Sequence, residues 1–160
     1  MATDFLLEIE GIKGESSDSK HKDFIEIESF SWGATNGGTM STGGGGGAGK
    51  VAFQDVHFTT KVNKASPLLM LHCANGQHLK KATLFVRKAG GDQQEYYTIK
   101  LTDVLVSSYQ SGDHTGGDLP IDQFALNFAK IEFSYKPQKA DGTLDSAIEH
   151  GWDVKGNVKA

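Results

Sequence analysis

The chain is 160 residues long, 38% hydrophobic and 22% charged, a composition that belongs to one folded domain and excludes a disordered chain. Its formal net charge is −4 and its basic residues run no further than the pairs Lys80–Lys81 and Arg87–Lys88, which excludes a general nucleic-acid-binding face. The single cysteine, Cys73, rules out an intramolecular disulfide, and the longest apolar run, Pro67 to Leu71, is too short to cross a bilayer.

In chain order, Met1 to Glu8 lacks the basic start and long apolar core of a secretory signal, so any export is expected without one. Phe5 to Glu10 predicts a short strand, and a polar turn follows from Gly11 to Asp18. Ile25 and Ile27 alternate with Glu26 and Glu28, the period of a half-buried strand. After Ser29 the phase flips to Phe30 and Trp32, which predicts a β-bulge. Glycine totals 20 residues, and nine of them fall between Gly33 and Gly49, so that segment reads as a long loop between strands. Val51 to Val62 predicts a strand with a second bulge near Asp55.

Ser66 to Asn75 predicts the one helix, with Ser66 as N-cap, Pro67 in the first turn and Asn75-Gly76 as the stop. Lys81 to Lys88 and Tyr96 to Tyr109 predict two strands joined by a turn at Ala89-Gly90-Gly91-Asp92. Ile121 to Tyr135 predicts a long strand whose apolar phase moves from Phe124, Leu126 and Phe128 to Ile131, Phe133 and Tyr135. A polar turn and a short end strand around Trp152 to Val158 complete the chain. Seven or eight strands with one short helix predict a mainly β fold, a sandwich or barrel.

Motifs for chemistry are weak. Gly44 to Lys50 spells G-x-x-x-x-G-K, but Val51 stands where a magnesium-binding Ser or Thr belongs, and a strand follows instead of a helix. His72, Cys73 and His78 match no common zinc spacing and read as helix-surface histidines beside a half-buried cysteine. Ser107 and Ser108 with Asp113 and His114 lack a nucleophile elbow, and Asp103 and Asp122 form no recognisable acid pair. No catalytic residue, cofactor or metal is therefore expected. Ser31, between Phe30 and Trp32, is expected to face away from the core on a sheet surface.

Several segments in order resemble the Hcp family, the tube proteins of bacterial type VI secretion systems. They are Gly11-Ile12-Lys13-Gly14-Glu15-Ser16, Phe30-Ser31-Trp32-Gly33, and Met40-Ser41-Thr42-Gly43 through the glycines to Gly49-Lys50-Val51. Arg87-Lys88-Ala89-Gly90-Gly91, Leu126-Asn127-Phe128-Ala129, Tyr135-Lys136-Pro137-Gln138 and Gly151-Trp152-Asp153 complete the set. The resemblance implies one antiparallel β-barrel domain over residues 1–160, built of two sheets with one short helix. It implies assembly into a hexameric ring with a wide lumen, and stacking of rings into a tube expelled with a spike. The implied partners are further copies of the chain, the sheath, baseplate and spike proteins, and effectors carried in the lumen. Neither nucleic-acid binding nor membrane insertion is implied. The protein would lie in the bacterial cytoplasm before firing and outside the cell afterwards. The chain ends just after Gly151-Trp152-Asp153, so no fused effector domain is expected.

On this reading Ser31 is a candidate lumen and cargo-facing residue. The candidate ring-stacking loop is Met40, Ser41, Thr42, Gly43, Gly44, Gly45, Gly46, Gly47, Ala48 and Gly49. The alternative role is an effector-binding chaperone or receptor ring.

Overall fold

The structure, a computed structural model, describes residues 3–38, 49–88 and 93–160. Its strands are β1 (Thr3–Ile9), β2 (Ile25–Ile27), β3 (Ser29–Ser31), β4 (Ala34–Asn36), β5 (Val51–Phe53), β6 (Val56–Lys61), β7 (Leu79–Lys88), β8 (Glu95–Gly112), β9 (Ile121–Tyr135), β10 (Ile148–Asp153) and β11 (Val158–Lys159). The helix α1 runs from Ser66 to Asn75. A nine-stranded sheet in the order β11-β10-β9-β8-β7-β1-β2 carries β6 and β3 as a branch off β9, and β4 and β5 form a separate two-stranded sheet.

The long strand β9 makes this branching possible. It pairs with β8 along its whole length, while its first half pairs with β6 and its second half with β10. The ladder is not a closed ring of paired strands. The chain itself bridges the gap, because β2 pairs with β1 on one side and the adjoining β3 pairs with β6 on the other. At the junction, Glu28 donates its N–H to the Thr59 carbonyl at 2.8 Å.

The two expected bulges are therefore corners. At Glu28 and at Gln54-Asp55 the chain changes partner as well as phase, which splits each expected strand in two; with β4 inside the expected loop and the end strand divided into β10 and β11, the described residues hold eleven strands. A run that ends on one partner and restarts on another can wrap around a core, whereas a bulge only bends it. Register shifts do occur elsewhere, at Val86/Arg87 and at Val106/Ser108. The flip within β9 has a different cause. Between the rungs Thr102↔Lys130 and Val104↔Phe128, β8 carries Asp103 at φ 53°, and both strands turn over together, so the register is kept. Leu101 and Val104, and likewise Phe128 and Ile131, consequently all reach the core.

Alternation of apolar and polar residues decides which side of each strand is buried. Leu7, Ile25, Val56, Phe58, Leu84, Ile99, Val104, Phe124 and Leu126 fill the interior. Phe58 stacks on Phe124, and Phe5, Phe30, Tyr97, Phe133 and Trp32 form a chain of edge and tilted ring contacts beside them. Trp32 also donates its indole N–H to the Tyr97 hydroxyl at 2.9 Å.

Helix α1 seals this core through Leu69 and the preceding Ala65, both fully buried. Its N-cap is Ala65, not Ser66, and no side chain caps it. Asn63 turns the chain into the helix early, accepting the Ala65 N–H at 2.9 Å, so Ser66 is already helical. The Ser66 hydroxyl donates instead to the buried Asp122 carboxylate. Gly76 ends the helix as expected, in the left-handed region at φ 68°.

Candidate functional site

The register across four strands builds a polar wall on the barrel's outer surface. Phe30, Phe58, Phe124 and Tyr109 lie opposite one another on the core side. The rows on either side of them must point outward. One outward row is Ser29, Thr59, Gln123 and Gln110, and the next is Ser31, His57, Ala125 and Ser108. Ser31 is thus exposed and turned from the core, as its position between two aromatics predicts. His57 is exposed beside it and is the only titratable group in these two rows. A shallow groove of about 610 Å³ runs over this surface between His57, Thr59, Ser108, Gln110 and Gln123. The sequence gives no reason to single out His57, because its neighbour on β3 is fixed only by the pairing.

At the rim, Ser107, after the apolar run of β8, helps hold the fold. Ser107 donates to Asp55 Oδ2 at 2.6 Å, and Asn127 donates to Asp55 Oδ1 at 2.8 Å, tying the β5–β6 corner to the register shift in β8. His114 lies in a separate exposed loop, within 3.6 Å of its neighbour Asp113. His72 is buried, not on the surface, because its Nδ1 pairs with the Leu68 carbonyl one turn earlier at 2.9 Å. Among the described residues no group of three or more His, Cys, Asp or Glu side chains is placed to hold a metal ion.

Beyond Trp32 the chain leaves the barrel as a two-stranded arm, β4 against β5. Its root is held by the Gln54 N–H on the Gly33 carbonyl at 2.9 Å and by Phe53, whose ring meets Phe128 edge-on. Of the expected stacking residues, Met40 to Ala48 lie outside the described residues. Gly49 is described, and the Asn36 side chain holds its backbone: Nδ2 donates to the Gly49 carbonyl and Gly49 N–H donates to Oδ1, each at 2.8 Å.

Elsewhere the outer surface is covered. Leu6, Phe85, Thr83 and Arg87 point outward from β1 and β7, and residues 13–24 fold over them. Phe24 stacks on Phe85, and His21 packs against both rings. Arg87, 4% exposed, bonds Asp4 at 3.2 Å and Asp18 at 2.5 Å. His21 reaches Asp18 at 3.2 Å through Nδ1 and Glu95 at 2.5 Å through Nε2. The hydrogen bond from Arg87 holds the Asp18 carboxyl far below the ordinary carboxylate range, against the opposing pull of burial. The same bond raises Arg87. Burial raises the Tyr109 hydroxyl, and its hydrogen bond to Asp122 raises it further. Arg87 lies far in sequence from Asp4 and Asp18, and His21 from Glu95, so only the fold brings these groups together.

This is an antiparallel β-barrel with a docked helix, a bare polar wall and a projecting arm. Residues 6–135 match the family model for the type VI secretion system effector Hcp, and the chain belongs to the Hcp family of type VI secretion proteins. It is 45% identical to protein hcp1 of Pseudomonas aeruginosa over the full length of both chains. It is similar to a solved type six secretion system protein with TM-score 0.94 and 33% identity, covering 99% of this chain and 100% of that one. Hcp1 from Salmonella typhimurium superposes with TM-score 0.80 at 30% identity, with both chains fully covered.

Proposed function

We propose that this chain is the ring-forming subunit of a type VI secretion inner tube, with the wall around Ser31 and His57 lining the lumen. Membership of the Hcp family carries the assignment. The outward rows Ser29–Thr59–Gln123–Gln110 and Ser31–His57–Ala125–Ser108, in which Ser29, Ser31, His57, Ser108, Gln110 and Gln123 are exposed, carry the placement of the wall. A surface rich in hydroxyls and amides binds cargo through hydrogen bonds, each of modest net strength, and so releases it readily.

On this reading residues 1–160 act as one domain and six copies close into a ring by a repeated head-to-tail contact. A second, axial contact stacks the rings, and the arm with residues Met40 to Gly49 reaches the neighbouring ring. Sheath, baseplate and spike surround and tip the tube, and effectors travel within it. The subunit is made in the bacterial cytoplasm and leaves through the machine. Its role is structural, and its interacting charged groups bond one another, Arg87 with Asp4 and Asp18 and His21 with Glu95. Among the described residues no helix is long and apolar enough to cross a membrane.

The test is the native mass of the purified protein, followed by electron microscopy. A mass six times the 17.2 kDa protomer with stacked rings is expected, and a monomer at high concentration would sink the reading. A second role, an effector-holding ring, is favoured by the groove beside His57. Single rings that retain effector without stacking would select it. Ser31→Gln, which fills the wall with a longer side chain, is expected to lower effector retention without changing the ring mass.

A further inference from the structure

We infer that Asn36 is the positioning residue of the arm, a side-chain clasp that sets the two chain ends for ring stacking; this role rests on the tube reading above. The arm's backbone ladder has three rungs, Ala34↔Phe53, Thr35↔Ala52 and Asn36↔Val51. Past Asn36 the chain turns aside, with the Gly38 N–H donating to the Asn36 carbonyl at 2.9 Å. The next rung is made by the Asn36 side chain, which gives one hydrogen bond to Gly49 and accepts another, both at 2.8 Å.

A primary amide presents one donor and one acceptor side by side, as a peptide group does, so this rung continues the ladder in kind. The two bonds also fix the amide's orientation, since a flipped side chain would set donor against donor and acceptor against acceptor. Aspartate has no donor for the Gly49 carbonyl. On the other side, a Cβ on Gly49 would lie 2.7 Å from the Gly37 carbonyl oxygen, so only glycine allows the strands this close.

Ala34, Thr35, Asn36, Gly37, Gly38 and Gly49 are all exposed. Among the described residues, the arm packs on the core at its root, through Phe53. At the far end, among the described residues, the Asn36 clasp holds the two ends at ladder spacing. Ends already held apart lose less conformational freedom when they dock on another ring. The clasp therefore serves stacking and contributes little to the barrel.

The experiment compares the wild type with Asn36→Ala, Asn36→Asp and Gly49→Ala in the full chain. It reads native mass, amide hydrogen exchange at Gly49, and stacked-ring formation by sedimentation and microscopy. Every variant is expected to keep the wild-type ring mass. The Gly49 amide is expected to exchange slowly in the wild type and at least about tenfold faster in Asn36→Ala, with stacking weakened by about tenfold for two exposed hydrogen bonds. Gly49→Ala attacks the same rung from the opposite strand and is expected to match. Fast exchange at Gly49 in the wild type would overturn the clasp. Unchanged stacking with lost protection would overturn its role. Wild-type rings that never stack would overturn the tube reading and with it the positioning role, and the exchange data would still decide whether the clasp exists.

Discussion

On β1 and β7 the outward positions Leu6 and Arg87 lie beneath residues 13–24 and are almost fully buried, whereas on β3 and β6 the outward positions Ser31 and His57 are bare. Both regions belong to the outer face of one barrel, and both are polar, but they are polar in opposite ways. The covered region holds charged side chains that bond one another: Arg87 pairs with Asp4 and Asp18, and the His21 ring reaches Asp18 and Glu95. The bare region holds hydroxyls and amides that water can satisfy. Charges withdrawn from water must be paired or the fold suffers, while neutral polar groups left in water cost nothing and stay available to a partner. The comparison separates polar groups that hold the molecule together from those left open to water.

The largest expected effect breaks the covered region. Arg87→Ala leaves Asp4 and Asp18 without their shared cation, and is expected to lower stability by about 3 kcal/mol in urea denaturation. The pH dependence sharpens this. Asp18 in the native state is held below the ordinary carboxylate range by Arg87. Below about pH 4 the unfolded chain therefore binds a proton that the native state resists, and stability falls as the pH falls. The Arg87–Asp18 contribution is present above that range and is lost through it. Removing Arg87 is expected to flatten this acid limb, measured as stability at a series of pH values. An equally steep limb in the variant would mean that Asp18 is not the group responsible.

The two regions were not equally legible in the sequence. Ser31 could be placed because it stands between Phe30 and Trp32, and period-2 alternation leaves it nowhere to point but outward. The helix from Ser66 to Asn75 and the strand from Ile121 to Tyr135 were legible for the same reason, that a local period or a local stop signal defines them. His57 as Ser31's neighbour, Asp4 and Asp18 as the partners of Arg87, and Glu95 as the partner of His21, were not. Each depends on a strand pairing or a loop fold that joins distant residues. The phase flips at Ser29 and Asp55 were visible, but whether a flip is a bulge or a corner depends on which strand is the next partner. Asn36 was hidden for a similar reason, since nothing local pairs it with Gly49.

A mid-sized effect tests the comparison within a single strand. Asp122 and Gln123 are neighbours on β9 and face opposite ways. Asp122 is fully buried and accepts hydrogen bonds from Ser66 and from Tyr109, the latter at 3.0 Å. Asp122→Ala strands both hydroxyls and is expected to cost about 2 kcal/mol, and Tyr109→Phe about 1 kcal/mol, by thermal or urea unfolding. Gln123→Ala, one residue along on the bare wall, is expected to stay within about 0.5 kcal/mol of the wild type. Equal losses at Asp122 and Gln123 would erase the distinction between the two faces.

The smallest stability effect belongs to the wall itself. Ser31→Gln and His57→Gln replace exposed side chains that make no hydrogen bond within the described protein, so both are expected to unfold within about 0.5 kcal/mol of the wild type. If the wall serves a partner, these silent changes are where binding should respond. Ser31 and His57 lie directly opposite one another, so a cargo group touching one touches the other. Their effects on effector retention should then be non-additive, with the double variant losing less than the sum of the two single losses. Strict additivity in a double-mutant cycle would place them in separate contacts and reduce the wall to a surface that cargo merely passes.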